Sequence, residues 1–338
     1  METKRIEYLD TIKGFAILLM IMGHSIAWNF PCWQDILPIQ EGMQWQKIKV
    51  GLLWNLIYSF HMASFFFVSG FLAYKKNESF KLALFNKCRR LLVPYIFTGG
   101  FIVLFRGYFG YWFLFSLWQL SVLAVLLNYF LPKINKEGLI MRDLILICIG
   151  YVVCRLIFSD SYMDNPICEQ DKFCLFYFPY MGGYLLRKYI FIQKIIQSFF
   201  SFNLIGFMTF FINQYLSFEN ELCQFFHVVF LHIGNYVMPI LGTLVLWEIF
   251  RKGTKARELR FFNKIGKHTF EIYVFHIFFI IQIPAVGKFW LMSAFGTCLS
   301  SQFFYSVLCS LLAICLSLLI AIPIRQSKLL SKLVLGDK

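Results

Sequence analysis

A few imidazoles, carboxylates and cations stand inside otherwise apolar sequence. They are His24, His61, Arg155, His227, His232, Glu271 and His276, with Asp10 and Lys13 at the head of the first apolar run. An ionisable group surrounded by hydrocarbon is costly unless it faces protein or water, so each is a candidate for chemistry. His24 and His61 each lie about a dozen residues from the same side on successive runs, ~18 Å deep at a helical rise of ~1.5 Å per residue. Two antiparallel neighbours then carry imidazoles at one level. A lone intramembrane histidine is commonly a hydrogen-bonded structural residue; a matched pair favours function. A general base with a positioning group suits the pair better than metal ligation, because no third ligand is evident at that depth. Lys13 and His24 are eleven positions apart, which is three helical turns, and share a face. Asp10 stands beside Lys13, whose simpler reading is a snorkelling anchor. Glu271 and His276 enter the ninth apolar run in KHTFEIYVFHIFFI. A buried carboxylate needs a partner, and Lys13, Arg90 or a histidine would serve. His227 and His232, near the outer end of the eighth run, read either as interfacial structural residues or as contacts to an extracytoplasmic acceptor.

Two further requirements of group transfer have candidates. Arg89 and Arg90, in KKNESFKLALFNKCRRLLVPY, stand where the third run begins. They read either as topology anchors or as a bidentate clamp for phosphate on a cytosolic ligand. Asn55, Tyr58, Ser64 and Ser69 would supply donors to a developing oxyanion. Phosphate-binding glycine loops and the Gly-x-Ser-x-Gly nucleophile turn are absent. The ten cysteines show neither CxxC nor zinc-like spacing, so no metal is expected.

The elements that position these residues follow from composition. Of 338 residues, 59% are hydrophobic, 20% aromatic and 15% charged, and mean hydropathy is +0.65. These values exclude disorder, a secreted disulfide scaffold and an ordinary soluble globule. Ten apolar runs, at 12–30, 51–73, 91–106, 112–131, 143–158, 173–186, 200–216, 222–250, 268–284 and 301–325, predict an all-α polytopic helix bundle in a lipid bilayer, one domain over 1–338. Gly234 and Pro239 predict an eighth span that is tilted, broken or made of two short segments. The first run reads as a span and not a cleaved leader, given Glu2, Glu7 and Asp10 in its flank. The net charge of +14 is written in short blocks between runs. Lys and Arg divide 26 to 5 between alternate sides, with Arg155 inside a run. That bias predicts ten spans with both chain ends cytoplasmic, and it argues against nucleic acid as the partner.

The motifs resemble those of a known family. YLDTIKGFAILLMIMGHS at 8–25 is similar to the first-span signature of the integral-membrane acyltransferase type 3 family, a basic residue, ten positions and a histidine, here Lys13 and His24. IYSFHMASFFFVSGFLAY at 57–74 resembles its FHMPLFFFxSGF segment, with Ala63 where proline is usual. KCRRLLVPYIF at 87–97 and TFEIYVFH at 269–276 resemble two more of its segments, and lysine in the first motif is similar to the fucose 4-O-acetylase-like subgroup. The resemblance implies O-acetyl transfer in the plasma membrane. Acetyl-CoA would be the donor, with no permanently bound cofactor, and a hydroxyl of a surface carbohydrate or its lipid-linked precursor the acceptor. His24 would be the base or acyl-handling residue, with His61 and Glu271 completing the polar core. Lys13, Arg89 and Arg90 would meet the anionic donor, and Asp10, Ser69 and His276 would support the site. Residues 133–250 carry no matching motif, which leaves the acceptor open. Intramembrane histidine and glutamate also suit a proton-coupled saccharide transporter, which the broken eighth span would favour. A non-catalytic partner of a polysaccharide machine is a third reading.

Overall fold

In their described residues the ten apolar runs are helical, the second as two helices, in the computed structural model, which describes residues 6–29, 44–75, 79–106, 111–130, 139–157, 170–214, 221–253, 259–281 and 299–337. In chain order the main helices are α1 (Glu7–Asn29), α2 (Gln44–Tyr58), α3 (His61–Ala73), α4 (Phe80–Lys87), α5 (Val93–Arg106), α6 (Trp112–Phe130) and α7 (Ile140–Ile157). They continue as α8 (Gln170–Lys188), α9 (Ile190–Ser198), α10 (Phe200–Asn213), α11 (Glu221–Gly253), α12 (Arg260–Lys267), α13 (Thr269–Phe279) and α14 (Leu299–Gln326). No strand occurs among the described residues.

Among the described residues five stretches are long and apolar enough to cross a membrane: α1, Gly51–Ala73, Trp112–Tyr129, Gln224–Gly253 and α14. A sixth arises if α9 and α10, bent by 69° at Phe199, count as one span. The other predicted spans are shorter or more charged. α5 has 14 residues and α13 has 11. α7 carries Arg142, Asp143 and Arg155, and α8 carries Asp171, Lys172, Arg187 and Lys188. Apolar side chains lie open along α7 (Ile145, Ile149, Val152, Leu156), α10 (Phe202, Ile205, Ile212) and α14 (Phe304, Leu308, Leu319). Such faces suit hydrocarbon and would aggregate in water. Arg155 is on the open side of α7, in its last turn.

The expected break in the eighth span is corrected: α11 runs unbroken for 33 residues through Gly234 and Pro239. Proline forfeits one backbone bond, which the surrounding helix tolerates. The interruption falls instead in the second run, at Ser59 and Phe60 between α2 and α3. Local side chains satisfy it. Ser59 Oγ donates to the Leu56 carbonyl at 2.7 Å and Ser64 Oγ to the Phe60 carbonyl at 3.0 Å. Ala63 then sits in the first turn of α3, where a proline would remove no intrahelical bond, which accounts physically for its exchange with the proline of the related motif.

The chain divides into two compact units. The first comprises Met1–Ser64 and Phe200–Ala321. α1 is buried on all sides there, and α13 is buried continuously from Glu271 to Ile277. α12 crosses α1 with backbone touching backbone. A Cβ on Gly14 would lie 1.9 Å from the Phe262 carbonyl oxygen, and one on Gly266 1.7 Å from that of Asp10. Asn263 Nδ2 donates to the Glu7 carbonyl at 2.9 Å beside this crossing. Phe207, Phe211 and Met238 form a core between α10 and α11, packed by Leu52, Leu56 and Phe60.

The second unit comprises Phe65–Phe199 and Ile322–Lys338. Its organising element is α8, whose Tyr177, Tyr180 and Tyr184 are almost fully buried. Each phenol finds an acceptor on another helix: the Ile147 carbonyl at 2.9 Å, Ser121 Oγ at 3.4 Å and Asn128 Oδ1 at 2.9 Å. Buried phenols that are bonded this way fix helix register as well as contributing apolar area. At the end of α8, Lys188 pairs with Asp143 of α7, both sealed from solvent. Tyr189 Oη donates to the same carboxylate at 2.7 Å and Arg142 at 2.8 Å.

Candidate active site

Three helical segments of the first unit bring the imidazoles together. His24 comes from α1, His61 from the first turn of α3 and His276 from α13. His24 stacks on Trp28, one turn along α1, with centroids 5.4 Å apart and planes inclined by 27°. It also stacks on His276 at 5.6 Å and 22°. Its Nδ1 lies 3.3 Å from Tyr58 Oη. Tyr58 in turn stacks on Trp54 at 4.2 Å and meets the His61 ring edge-on at 4.8 Å. The two histidines of the first two runs are therefore linked through a tyrosine and are both packed in an aromatic shell. His61 and His276 are 1% and 4% exposed, while His24 is only half-buried, so it is the imidazole with access.

Hydrogen bonding distinguishes the three rings. His61 Nδ1 lies 2.8 Å from the Ile57 carbonyl, beside the helix interruption. His276 Nδ1 lies 2.6 Å from the Tyr273 carbonyl. A carbonyl only accepts, so each Nδ1 carries a proton and each neutral ring leaves Nε2 with a lone pair. His24 faces a phenol, which both donates and accepts. When His24 Nδ1–H donates to Tyr58, Nε2 is free to act as a base. When the phenol donates, Nε2 holds the proton. Either tautomer of His24 therefore satisfies its contact with Tyr58.

The remaining predicted residues are placed as follows. Lys13 pairs with Asp10 at 2.7 Å, which leaves Asp10 buried and Lys13 partly open. Glu271 is buried and meets His268 Nδ1 at 3.4 Å, so a histidine is among its partners. Arg89 and Arg90 belong to the second unit, on a π-helical turn, Cys88–Leu92. Arg90 is exposed, and Arg89 Nη2 donates to Asn86 Oδ1 at 3.4 Å. Ser69 is also in the second unit and half-buried. Ser64 is committed elsewhere, 3.2 Å from Thr243 Oγ1. His227 Nδ1 lies 3.4 Å from Asn213 Oδ1, and His232 is exposed. Among the described residues no three His, Cys, Asp or Glu side chains converge to hold a metal ion.

Sequence reasoning missed two partners. Tyr58 stood only as an oxyanion donor, whereas it contacts His24 directly. Its place three residues before His61, just ahead of the helix interruption, is the signal that would have singled it out. Trp28 lies at i+4 from His24, a spacing that brings side chains together on any helix.

Comparison with known proteins adds the family. A family model described as an acyltransferase domain, Acyl_transf_3, matches residues 6–324. No curated protein and no solved structure matches the chain. The match runs through all three histidine-bearing segments as well as the arginine turn, and with 6–324 of 338 residues under one description the chain belongs to the type 3 acyltransferase family of membrane proteins.

Proposed function

We propose that the protein is a plasma-membrane O-acetyltransferase, of the fucose 4-O-acetylase-like kind, that moves an acetyl group from cytosolic acetyl-CoA to a hydroxyl of a surface carbohydrate or its lipid-linked precursor. The observation that carries the reading is the His24–Tyr58 contact, in which a half-open imidazole is held by a phenol inside an aromatic shell. In this reading His24 Nε2 removes the proton from the acceptor hydroxyl, and Tyr58 oxygen accepts from His24 Nδ1–H as the ring becomes an imidazolium. The hydroxyl oxygen attacks the thioester carbonyl carbon. The tetrahedral intermediate expels the CoA sulfur, which takes the proton back from His24 Nε2. Acetyl ester and free thiol result, and the histidine ends neutral. Lys13, Arg89 and Arg90 are the proposed cations for the donor phosphates, although Lys13 shares its charge with Asp10. His61, His276 and Glu271 hold the core around the base. The transporter reading keeps its intramembrane histidines and glutamate but loses the broken eighth span, because α11 is unbroken. Surface glycan from a deletion strain, compared by NMR with the parent, is expected to lack one O-acetyl signal; an unchanged spectrum overturns the proposal.

We further propose ten spans with both chain ends cytoplasmic. The reading is supported by ten apolar runs that are helical in their described residues and by the 26-to-5 division of basic residues. Some basic residues on that side are locally neutralised. Buried Glu248 accepts from Arg251 at 3.1 and 3.0 Å and pairs with Lys252 at 3.0 Å. A reporter fused after Lys338 is expected to be active only in the cytoplasm, and activity outside counts against the topology.

A further inference from the structure

Two π-helical turns occur among the described residues, Cys88–Leu92 and Ser331–Leu335, and Gly336, the residue that follows the second, meets the backbone of the first. Each is closed by a backbone bond five residues long. Val93 N–H donates to the Cys88 carbonyl, and Gly336 N–H donates to the Ser331 carbonyl. Such turns are rare and concentrate at functional sites. The contact is made by Gly336, whose φ is +66°. A Cβ there would lie 2.7 Å from Arg90 Cα and 2.8 Å from the Arg89 carbonyl oxygen. Both the left-handed backbone and the backbone-on-backbone approach call for glycine. The second turn is itself anchored. Ser331, Val334 and Leu335 are buried, and Ser331 Oγ donates to Asp337 Oδ2 at 2.5 Å, closing the chain around Gly336.

The arginines carried on the first turn have unused hydrogen-bonding capacity. Arg89 Nε is buried with no hydrogen-bond partner, and Arg90 is exposed. A π-turn holds more residues per revolution than an α-turn, so successive side chains diverge less around the axis. Adjacent arginines on it point roughly 20° closer together than on an α-turn, which helps both reach one anion.

We propose that the turn Ser331–Asp337 is a positioning element for the acyl donor: it holds the backbone of Arg89 and Arg90 in the π form, so that both guanidiniums engage the phosphates of one CoA. This rests on the reading of the arginine pair as a donor-phosphate site. The turn lies beyond the residues 6–324 that match the family.

The test is CoA binding to the full-length protein in detergent, by calorimetry. Gly336→Ala is expected to weaken binding about tenfold, and Ser331→Ala, which adds no atoms, about threefold, through charge-assisted bonds that are lost or lengthened. In an Arg90→Ala background, Gly336→Ala should add less than about twofold, because the two changes remove the same interaction. A purely structural defect would add in full. If Arg90→Ala weakens binding while Gly336→Ala and Ser331→Ala leave it intact, the positioning role is overturned and the donor site stands. Additive effects in the double variant also overturn it. If the double variant Arg89→Ala and Arg90→Ala binds CoA normally, the donor site itself is wrong and the positioning role falls with it. Should Gly336→Ala fail to accumulate, Ser331→Ala in the same two backgrounds gives the same decision.

Discussion

His24→Gln is expected to abolish acetyl transfer in a protein that still inserts, accumulates and binds CoA. Glutamine fills similar space and keeps hydrogen-bonding capacity toward Tyr58, but it cannot take up and return a proton near neutrality. A positioned base contributes about 10²–10⁴-fold, so the loss should be visible in surface glycan from living cells. Tyr58→Phe is the milder companion. It keeps the ring stacked on Trp54 while removing the oxygen 3.3 Å from His24 Nδ1. Turnover should fall by about tenfold to a hundredfold, the usual cost of losing the group that orients an imidazole, with little change in the concentration of acetyl-CoA required. Most activity surviving in His24→Gln would assign the base elsewhere. His61 would then be the next candidate, since its Nε2 also bears a lone pair.

Gly266→Ala is expected to have the largest effect on the fold. The added methyl would sit 1.7 Å from the Asp10 carbonyl oxygen, which belongs to backbone and cannot rotate aside. α12 would have to leave α1, taking with it the turn that leads to Glu271 and His276. Overpacking of this kind costs ~3 kcal/mol or more, and the melting temperature in detergent should drop accordingly. Gly100→Ala is the matched control. It lies in α5 with nothing within 4 Å of the added Cβ, and removing a helix-interior glycine should be neutral or stabilising by up to about 1 kcal/mol. Equal melting of the two variants would refute the close crossing.

The helices themselves were readable because an apolar run of about 20 residues has few other solutions. Their interruptions were not. Gly234 and Pro239 advertised a break that α11 does not have, whereas the real one at Ser59 and Phe60 bears neither residue. Serine hydroxyls and the His61 ring satisfy the loosened carbonyls there, a role that local composition does not announce. At the site, depth along the run correctly set His24 and His61 near one another. Depth says nothing about which helices are neighbours, so the stacking of His24 on His276 emerged only from packing. Glu271 required a partner, and electrostatics alone could not choose among the candidates. His268, the first residue of the ninth run, meets it from i−3. Asp143 opens the fifth run and Lys188 follows the sixth, and nothing in either run marks the other as its mate.

That buried pair bears on how the protein is made. Asp143 and Lys188 are 45 residues apart in the chain. At about 5–20 residues per second of synthesis, roughly 2–9 s separate their appearance from the ribosome. During that interval α7 has emerged with its carboxylate and without its lysine. Arg142, the adjacent residue, is already present and contacts the same carboxylate in the finished protein. It can therefore act as a temporary counter-ion that escorts α7 until α8 arrives, and its permanent place at 37% side-chain exposure, on the rim of the sealed pair, is where such an escort would be left.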